Sequence, residues 1–340
     1  MIARRDLFKG TAGLVAVGAM GGALDACAKS SPKSSTSSTT GGSAGSGSKQ
    51  IKLGFSQVGS ESGWRSANTD SIKDAAAKAG ITLTFSDAQQ KQENQIAAIR
   101  NFISQKVDVI SFSPVVTSGW DAVLTEAKNA KIPVILTDRQ VDSDQSLYVC
   151  LVGSDFEAEG ERAAHLMEKV LTGMTGPVNM AQLEGTTGSA PATQRAAGFK
   201  KVMDASDPSW KIVISQTGNF TRDGGKQVMA AFLQSHPEIN ALFAHNDDMA
   251  IGAIQSIIAA GKKPGTDIKI VSIDGVKDGF VAMSQSQINA IAECNPLLGP
   301  QLMDTIKDVL AGKTVERWIK TKESDFTADQ AAAALPNRQY

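Results

Sequence analysis

Cysteine is scarce in this chain, with three in 340 residues, and no C-x-x-C pair or Cys/His spacing of a zinc site occurs. The three histidines, His165, His236 and His245, are scattered, a pattern of packing or hydrogen-bonding residues rather than of catalysts. There is no G-x-x-x-x-G-K-[ST] phosphate loop and no H-E-x-x-H motif. The G-x-S-x-G match at Gly41 to Gly45 lies in a Ser/Thr/Gly tract, where no strand or helix strains the serine into a nucleophile. DSDQSL at Asp142 opens like a calcium loop, but Leu147 stands where the turn glycine belongs and Gly153 where the bidentate Glu belongs. An excess of one charge is also missing: the formal net charge is −1, which gives no electrostatic footprint for nucleic acid. No metal, no cofactor and no nucleic-acid partner is therefore expected.

What is present begins with an export pattern. Residues 1–27 read as a twin-arginine-like lipoprotein signal: Arg4 and Arg5 precede the apolar run TAGLVAVGAMGGAL, which ends at Leu24-Asp25-Ala26-Cys27. That run is too short for a membrane span. Leu-x-Ala-Cys resembles a lipobox and makes Cys27 the expected lipidation site, although Asp25 is an unusual occupant; an ordinary cleaved signal is the alternative. Residues 28–49, rich in Ser, Thr and Gly, carry too few apolar side chains to offset the entropy of ordering and are expected to be a flexible tether. Signal, lipid and tether together predict an exported protein anchored through Cys27 to the outer face of the cytoplasmic membrane. Cys150 and Cys294 remain, and they are read as unpaired buried residues in preference to a disulfide.

From Lys49 onward the chain is long enough for two domains. Ten apolar runs of strand length (IKLGFSQ, ITLTFSDA, VDVISFSPV, PVILTD, LYVCLVG, VNMAQLEG, KIVISQTG, ALFAHND, IKIVSID, INAIAEC) alternate with helix-period segments such as NQIAAIRNFISQ. Rich in Val and Ile and mostly not alternating, they suit parallel strands covered on both faces, which predicts an α/β, doubly wound architecture. The strands end in polar groups: Gln57 and then Glu61 to Arg65, Asp87, Asp138-Arg139, Glu184, Asn219-Phe220, Asn246-Asp247, Asp274 and Glu293. Ligands of open parallel sheets bind at carboxyl ends of strands. Forked carboxylates and guanidiniums match vicinal hydroxyls, and an aromatic face such as Trp64 or Phe220 packs on a sugar's C–H side. This set reads as recognition without a reaction; a glycosidase pair of carboxylates is the enzymatic alternative.

GFSQVGSESGWR, DAQQKQENQI, LTDR, AHNDDMAIGAIQ and SIDGV carry a resemblance that runs from about Ile51 to the end of the chain. The body resembles the sugar-binding proteins of ABC importers, the ribose-binding-like group, and within it the galactofuranose-binding members. The resemblance implies a type I periplasmic binding protein: two Rossmann-like, doubly wound lobes joined by three hinge crossovers, closing on a ligand by domain motion. The lobes would be residues 50–152 plus 294–322, and 153–293 plus 323–340. It implies a monomeric, non-enzymatic receptor that delivers a monosaccharide, galactofuranose first and ribose, arabinose or galactopyranose as alternatives, to an ABC permease with its ATPase. It also carries over the site: Glu61, Ser62, Gly63, Trp64 and Arg65 as one jaw, with Trp64 against the sugar face and Arg65 on hydroxyls; Asp138 and Arg139 on a hydroxyl pair; and Arg195, Asn246 and Asp274 from the second lobe, with Phe220 and Glu293 lining the cleft. Simpler roles compete: a surface ion pair for Asp138-Arg139, core packing for Trp64, snorkelling for Arg195, helix capping for Asn246 and Asp274. Gln194 stands where the relatives lead one to expect Asp, which puts the identity of the sugar at issue. A repressor built on similar lobes would need a helix-turn-helix before the first strand, where this chain has the signal and tether.

Overall fold

The computed structural model describes residues 50–340; the signal 1–27, the lipidation site Cys27 and the tether 28–49 lie outside the described residues. The chain runs β1 (Lys52–Gln57), α1 (Gly63–Ala79), β2 (Thr82–Asp87), α2 (Gln92–Ser104), β3 (Val109–Phe112), α3 (Asp121–Asn129), β4 (Val134–Thr137) and β5 (Cys150–Gly153). It continues through α4 (Phe156–Leu171), β6 (Val178–Glu184), α5 (Ala190–Met203), β7 (Trp210–Thr217), α6 (Arg222–Ser235), β8 (Ala241–Ala244), α7 (Asp247–Ala259), β9 (Lys269–Asp274), α8 (Lys277–Ser284) and β10 (Ala290–Glu293). Then follow α9 (Gly299–Leu310), β11 (Trp318–Lys320), β12 (Asp325–Thr327) and α10 (Ala328–Ala334).

Two six-stranded sheets result, ordered β11-β5-β4-β3-β1-β2 and β12-β10-β9-β8-β6-β7. All pairings between these strands are parallel except β10 with β12. Each order reverses once, between β1 and β3 and between β6 and β8, which creates a topological switch point in each lobe. The ten apolar runs are β1 to β10. The two strands that follow escaped the sequence reading because three residues show no period and contain little Val or Ile.

β3, β4, β5, β8 and β10 are buried along their whole length, as strands covered by helices on both faces must be. Each sheet has an apolar cluster on either side. Trp64 breaks the division: it belongs to α1 of the first lobe, yet packs with Phe156, Ile273 and Cys294 in a cluster of the second. The chain passes between the sheets three times, after β5, after β10 and after β11. Cys150 and Cys294 are buried free thiols. Among the described residues no helix is long and apolar enough to cross a membrane.

Candidate functional site

The loop after β1 is shaped by its own side chains. Ser62 caps α1 by accepting the Arg65 N–H at 3.1 Å, satisfying one of the unpaired donors of the first turn. This places Trp64 and Arg65 on the inner side of the helix start, 4% and 3% exposed. The Trp64 indole N–H donates to the carbonyl of Cys294 at 2.7 Å, and the Arg65 guanidinium lies 4.6 Å from the Trp64 ring centre. Arg65 then distributes its donors within the protein: Nε to Glu61 at 3.1 Å, Nη1 to Gln57 at 3.2 Å, and Nη2 to Asp138 Oδ2 at 2.8 Å. These contacts hold Glu61 and Asp138 in place, and Arg65 still lines the cleft.

Asp138 follows β4 with φ +66°, and its N–H is held by the Val152 carbonyl at 2.8 Å. Oδ2 accepts from Ser113 at 2.9 Å as well as from Arg65. Among the described residues Oδ1 receives no protein hydrogen bond. Arg139 beside it is 3% exposed, and its Nε has no partner at hydrogen-bond distance. Burial, followed by the neighbouring Arg65 charge, lowers its pKa to about 10.

The second lobe supplies Arg195, Phe220, Asn246 and Asp274. Arg195 comes from α5, with Nε on Glu159 Oε2 at 2.8 Å and Nη1 on the His245 carbonyl at 2.6 Å. Burial opposes its charge, but Glu159 overcomes this and raises its pKa. Asn246 caps α7 by accepting from Met249 at 3.0 Å, and its amide donates to the Phe220 carbonyl at 3.1 Å. Phe220 sits at φ +62°, an uncommon conformation for a bulky residue. Its ring lies against Gly185, where a Cβ would fall 1.8 Å from Phe220 Cζ, so only glycine fits there. Asp274 has φ +123° and its carbonyl accepts from Cys294 at 3.0 Å. Its carboxylate has Arg195 Nη2 at 3.7 Å and no protein hydrogen bond among the described residues; burial pushes its pKa well up, against the pull of Arg195. It does not cap α8, which has no side-chain cap; the N–H groups of Gly275 and Val276 just before that helix are taken by Asp247 Oδ2 at 2.8 Å each. Asp138, Phe220 and Asp274 each hold backbone strain of about 1–3 kcal/mol, the kind that surrounding structure retains at binding sites.

These groups enclose a cleft of about 280 Å³ of empty space, lined by Glu61, Ser62, Trp64, Arg65, Asp138, Arg139, Arg195, Phe220, Asn246 and Asp274, and by Phe156, Pro191 and Cys294. Two expected residues are not in this lining. Gly63 bridges the lobes instead, its N–H donating to Asp248 Oδ2 at 2.7 Å. Glu293 is turned to the end of the chain, accepting from Arg338 at 2.7 Å and the Tyr340 hydroxyl at 2.8 Å through Oε1, and from Ser324 N–H at 2.9 Å through Oε2. Gln194 does not line the cleft either: its Oε1 meets Gln140 Nε2 across the lobes at 3.4 Å. The lobes are further joined by Thr117 N–H to the Gly188 carbonyl at 2.9 Å. Sequence reasoning missed Phe156, Pro191 and Cys294, which follow crossovers or open helices and look like ordinary core residues. It also missed Glu159, whose place in the first turn of α4 resembles a partner for the helix dipole.

The model of the periplasmic binding protein domain matches residues 53–314. The chain belongs to the periplasmic binding protein family. Its relatives include the galactofuranose-binding protein of Escherichia coli (strain K12), 44% identical over 294 residues that cover 85% of this chain and 92% of that protein. A Mycobacterium smegmatis protein solved in complex with β-D-fucofuranose is 58% identical, with a TM-score of 0.83 over 85% of this chain and 95% of its own. The periplasmic binding protein of the arabinose ABC transporter from Shewanella sp. ANA-3, solved with α- and β-L-arabinofuranose, is 47% identical, with a TM-score of 0.81 over 85% and 96% of the two chains. The Escherichia coli and Shewanella relatives are binding proteins, not enzymes.

Proposed function

We propose that this protein captures a monosaccharide in its five-membered ring form, galactofuranose first, and presents it to an ABC importer. The observation that carries this reading is the interlobe cleft in which Arg139 Nε, Asp138 Oδ1 and the Asp274 carboxylate are left without protein hydrogen bonds beside the rings of Trp64 and Phe220. A buried donor or acceptor without a partner costs about 1–3 kcal/mol. Sugar hydroxyls, each both donor and acceptor, supply the missing partners, and the two aromatic faces receive the C–H surface. The furanose preference has its support in the three relatives described above, each named with a five-membered sugar ring. With Gln194 outside the cleft, the departure at that position bears on the lobe contact and leaves the sugar assignment standing.

The test is calorimetric titration of residues 49–340, freed of bound sugar by unfolding and refolding, with galactose, D-fucose, arabinose and ribose. NMR of the bound sugar identifies its ring form. Binding of galactose or fucose as furanose is expected; binding of a pyranose, or of none of the four, would reject the reading. Fucose lacks only the O6 hydroxyl of galactose and in the furanose ring keeps the side-chain O5 hydroxyl, so their ratio reports whether the cleft holds O6.

Anchoring belongs to the same proposal: Cys27 carries lipid and residues 28–49 tether a monomeric receptor near its permease. Cys27→Ser should move the protein from the membrane to the soluble fraction with unchanged sugar affinity. Continued membrane association would reject the anchor.

A further inference from the structure

Glu159 does not line the cleft, yet it is 0% exposed in the first turn of α4. Its Oε2 accepts from Arg195 Nε at 2.8 Å, while Arg195 Nη1 donates to the His245 carbonyl at 2.6 Å. With two edges of the guanidinium fork fixed, Nη2 is the edge left beside Asp274, at 3.7 Å. The close approach of α4 and α5 makes this contact possible. A Cβ on Gly160 would meet the Arg195 carbonyl at 2.3 Å, and one on Gly198 would meet the Glu157 carbonyl at 2.0 Å.

On its other side Glu159 faces the hinge. A carboxylate oxygen of Glu159, Cys294 Sγ and a carboxylate oxygen of Glu323 lie within 4.8 Å of one another. Cys294 opens the crossover to α9 and Glu323 stands in the crossover from β11. Ser154, in the crossover after β5, joins them by hydrogen bonds to Glu323, to Thr321 at 2.9 Å and to Cys294 Sγ at 3.6 Å. The three passages between the lobes thus meet at one point, and Glu159 touches it. A metal ion is not the natural occupant there, because both carboxylates already face cations: Arg195 on Glu159, and Arg162 Nη2 on Glu323 at 2.8 Å.

We infer that Glu159 is a positioning residue for sugar binding: it locks the Arg195 guanidinium through Nε, so that Nη2 is presented to the ligand in a geometry referred to the hinge. Arg195 alone on α5 would keep its charge but lose its orientation, since the rigid fork recognises hydroxyls only when its plane is fixed. The inference deepens the sugar-binding reading and rests on it.

Glu159→Gln keeps size and one acceptor oxygen but removes the charge. Its dissociation constant for the sugar should rise about tenfold to a hundredfold, with the change in koff. In an Arg195→Ala background the same change should add less than about twofold, because Glu159 acts through Arg195. Wild-type affinity in Glu159→Gln, or an undiminished additional loss in the Arg195→Ala background, would overturn the inference. Should Glu159→Gln fail to fold, Glu159→Asp, which keeps the charge but retracts it by one methylene, takes its place with the same expectations. A sugar-free arm follows the Arg195 Nε–H signal by NMR: slow solvent exchange in the wild type and faster exchange in the variant are expected. Equal exchange rates would refute the contact whether or not any sugar binds. If wild type bound no sugar while the exchange rates behaved as expected, the Glu159–Arg195 lock would stand, but the sugar reading and the positioning role that rests on it would fall.

Discussion

The two jaws of the cleft are built by different means. In the first lobe the groups facing the cleft are held by one another's charges: Arg65 ties Glu61, Gln57 and Asp138 together, and Asp138 in turn is braced by Ser113. In the second lobe the backbone holds Asn246, Phe220 and Asp274, while Arg195 is held by the charge of Glu159. Asn246 is a helix cap; Phe220 and Asp274 have positive φ, the Phe220 carbonyl accepting from the Asn246 amide and the Asp274 carbonyl from the Cys294 N–H. Both arrangements leave polar atoms free for a ligand, but they differ in what happens when one member is removed. A charge network loses several partners at once, whereas a backbone-held side chain is lost nearly alone.

Asp138→Ala breaks the first jaw and should have the largest effect. It removes the carboxylate 3.6 Å from the buried Arg139 Nε and one of the two carboxylate partners of Arg65, and about 3–5 kcal/mol of stability should be lost with them. Sugar binding should weaken by about 2–4 kcal/mol. Denaturant unfolding and calorimetry measure the two losses; unchanged affinity would take Asp138 out of the site.

The second lobe's buried acids give the next contrast. Asp247, fully buried, has a pKa raised to about 7 by burial despite hydrogen bonds from Ser272, Gly275 and Val276. A carboxyl whose folded pKa lies above its unfolded value of about 3.9 binds more protons when folded, so its contribution is full below about pH 4 and is lost as pH rises through 7. Glu323, raised to about 8, acts in the same direction. His245, lowered well below its usual value by burial, opposes them only below about pH 6.5. Between pH 6.5 and 8 the melting temperature should therefore fall, and Asp247→Asn should fall less. Parallel slopes for the two proteins would contradict the role given to Asp247.

Asn246→Ala breaks the second jaw. The α7 cap and the tie to Phe220 disappear, for a loss of about 1–2 kcal/mol of stability, smaller than for Asp138→Ala. An equal or greater loss would erase the distinction between the jaws. Gln140→Ala, at the contact between lobes, should have the smallest effect: less than about 1 kcal/mol in affinity, seen as a faster koff in stopped-flow fluorescence. A tenfold loss would mean that Gln140 reaches the sugar.

Much of the first jaw was legible because it is local. Ser62, Trp64 and Arg65 follow β1 directly, and Asp138-Arg139 follow β4, so a strand end in the sequence is a cleft position in space. Asn246 and Asp274 were readable for the same reason. Glu293 also ends a strand, but what turns it away is a segment some 45 residues further on, and no local pattern signals that Arg338 and Tyr340 come back to it. For Arg65 the place was legible but its protein partners were not, since Gln57, Ser113 and Asp138 come from separate elements. Glu159 and Cys294 were invisible for a related reason. Their place depends on two helices approaching through Gly160 and Gly198, and on three crossovers meeting at Ser154, and both are products of the assembled fold.

The most direct test of the account is a crystal structure with galactose or D-fucose bound. It predicts a furanose ring between Trp64 and Phe220, with sugar hydroxyls within about 3.2 Å of Arg139 Nε, Asp138 Oδ1 and Asp274. A sugar seated outside the cleft, or one inside it that leaves Arg139 Nε and Asp274 without contact, would contradict the claim that these unpaired groups are what recognises the ligand.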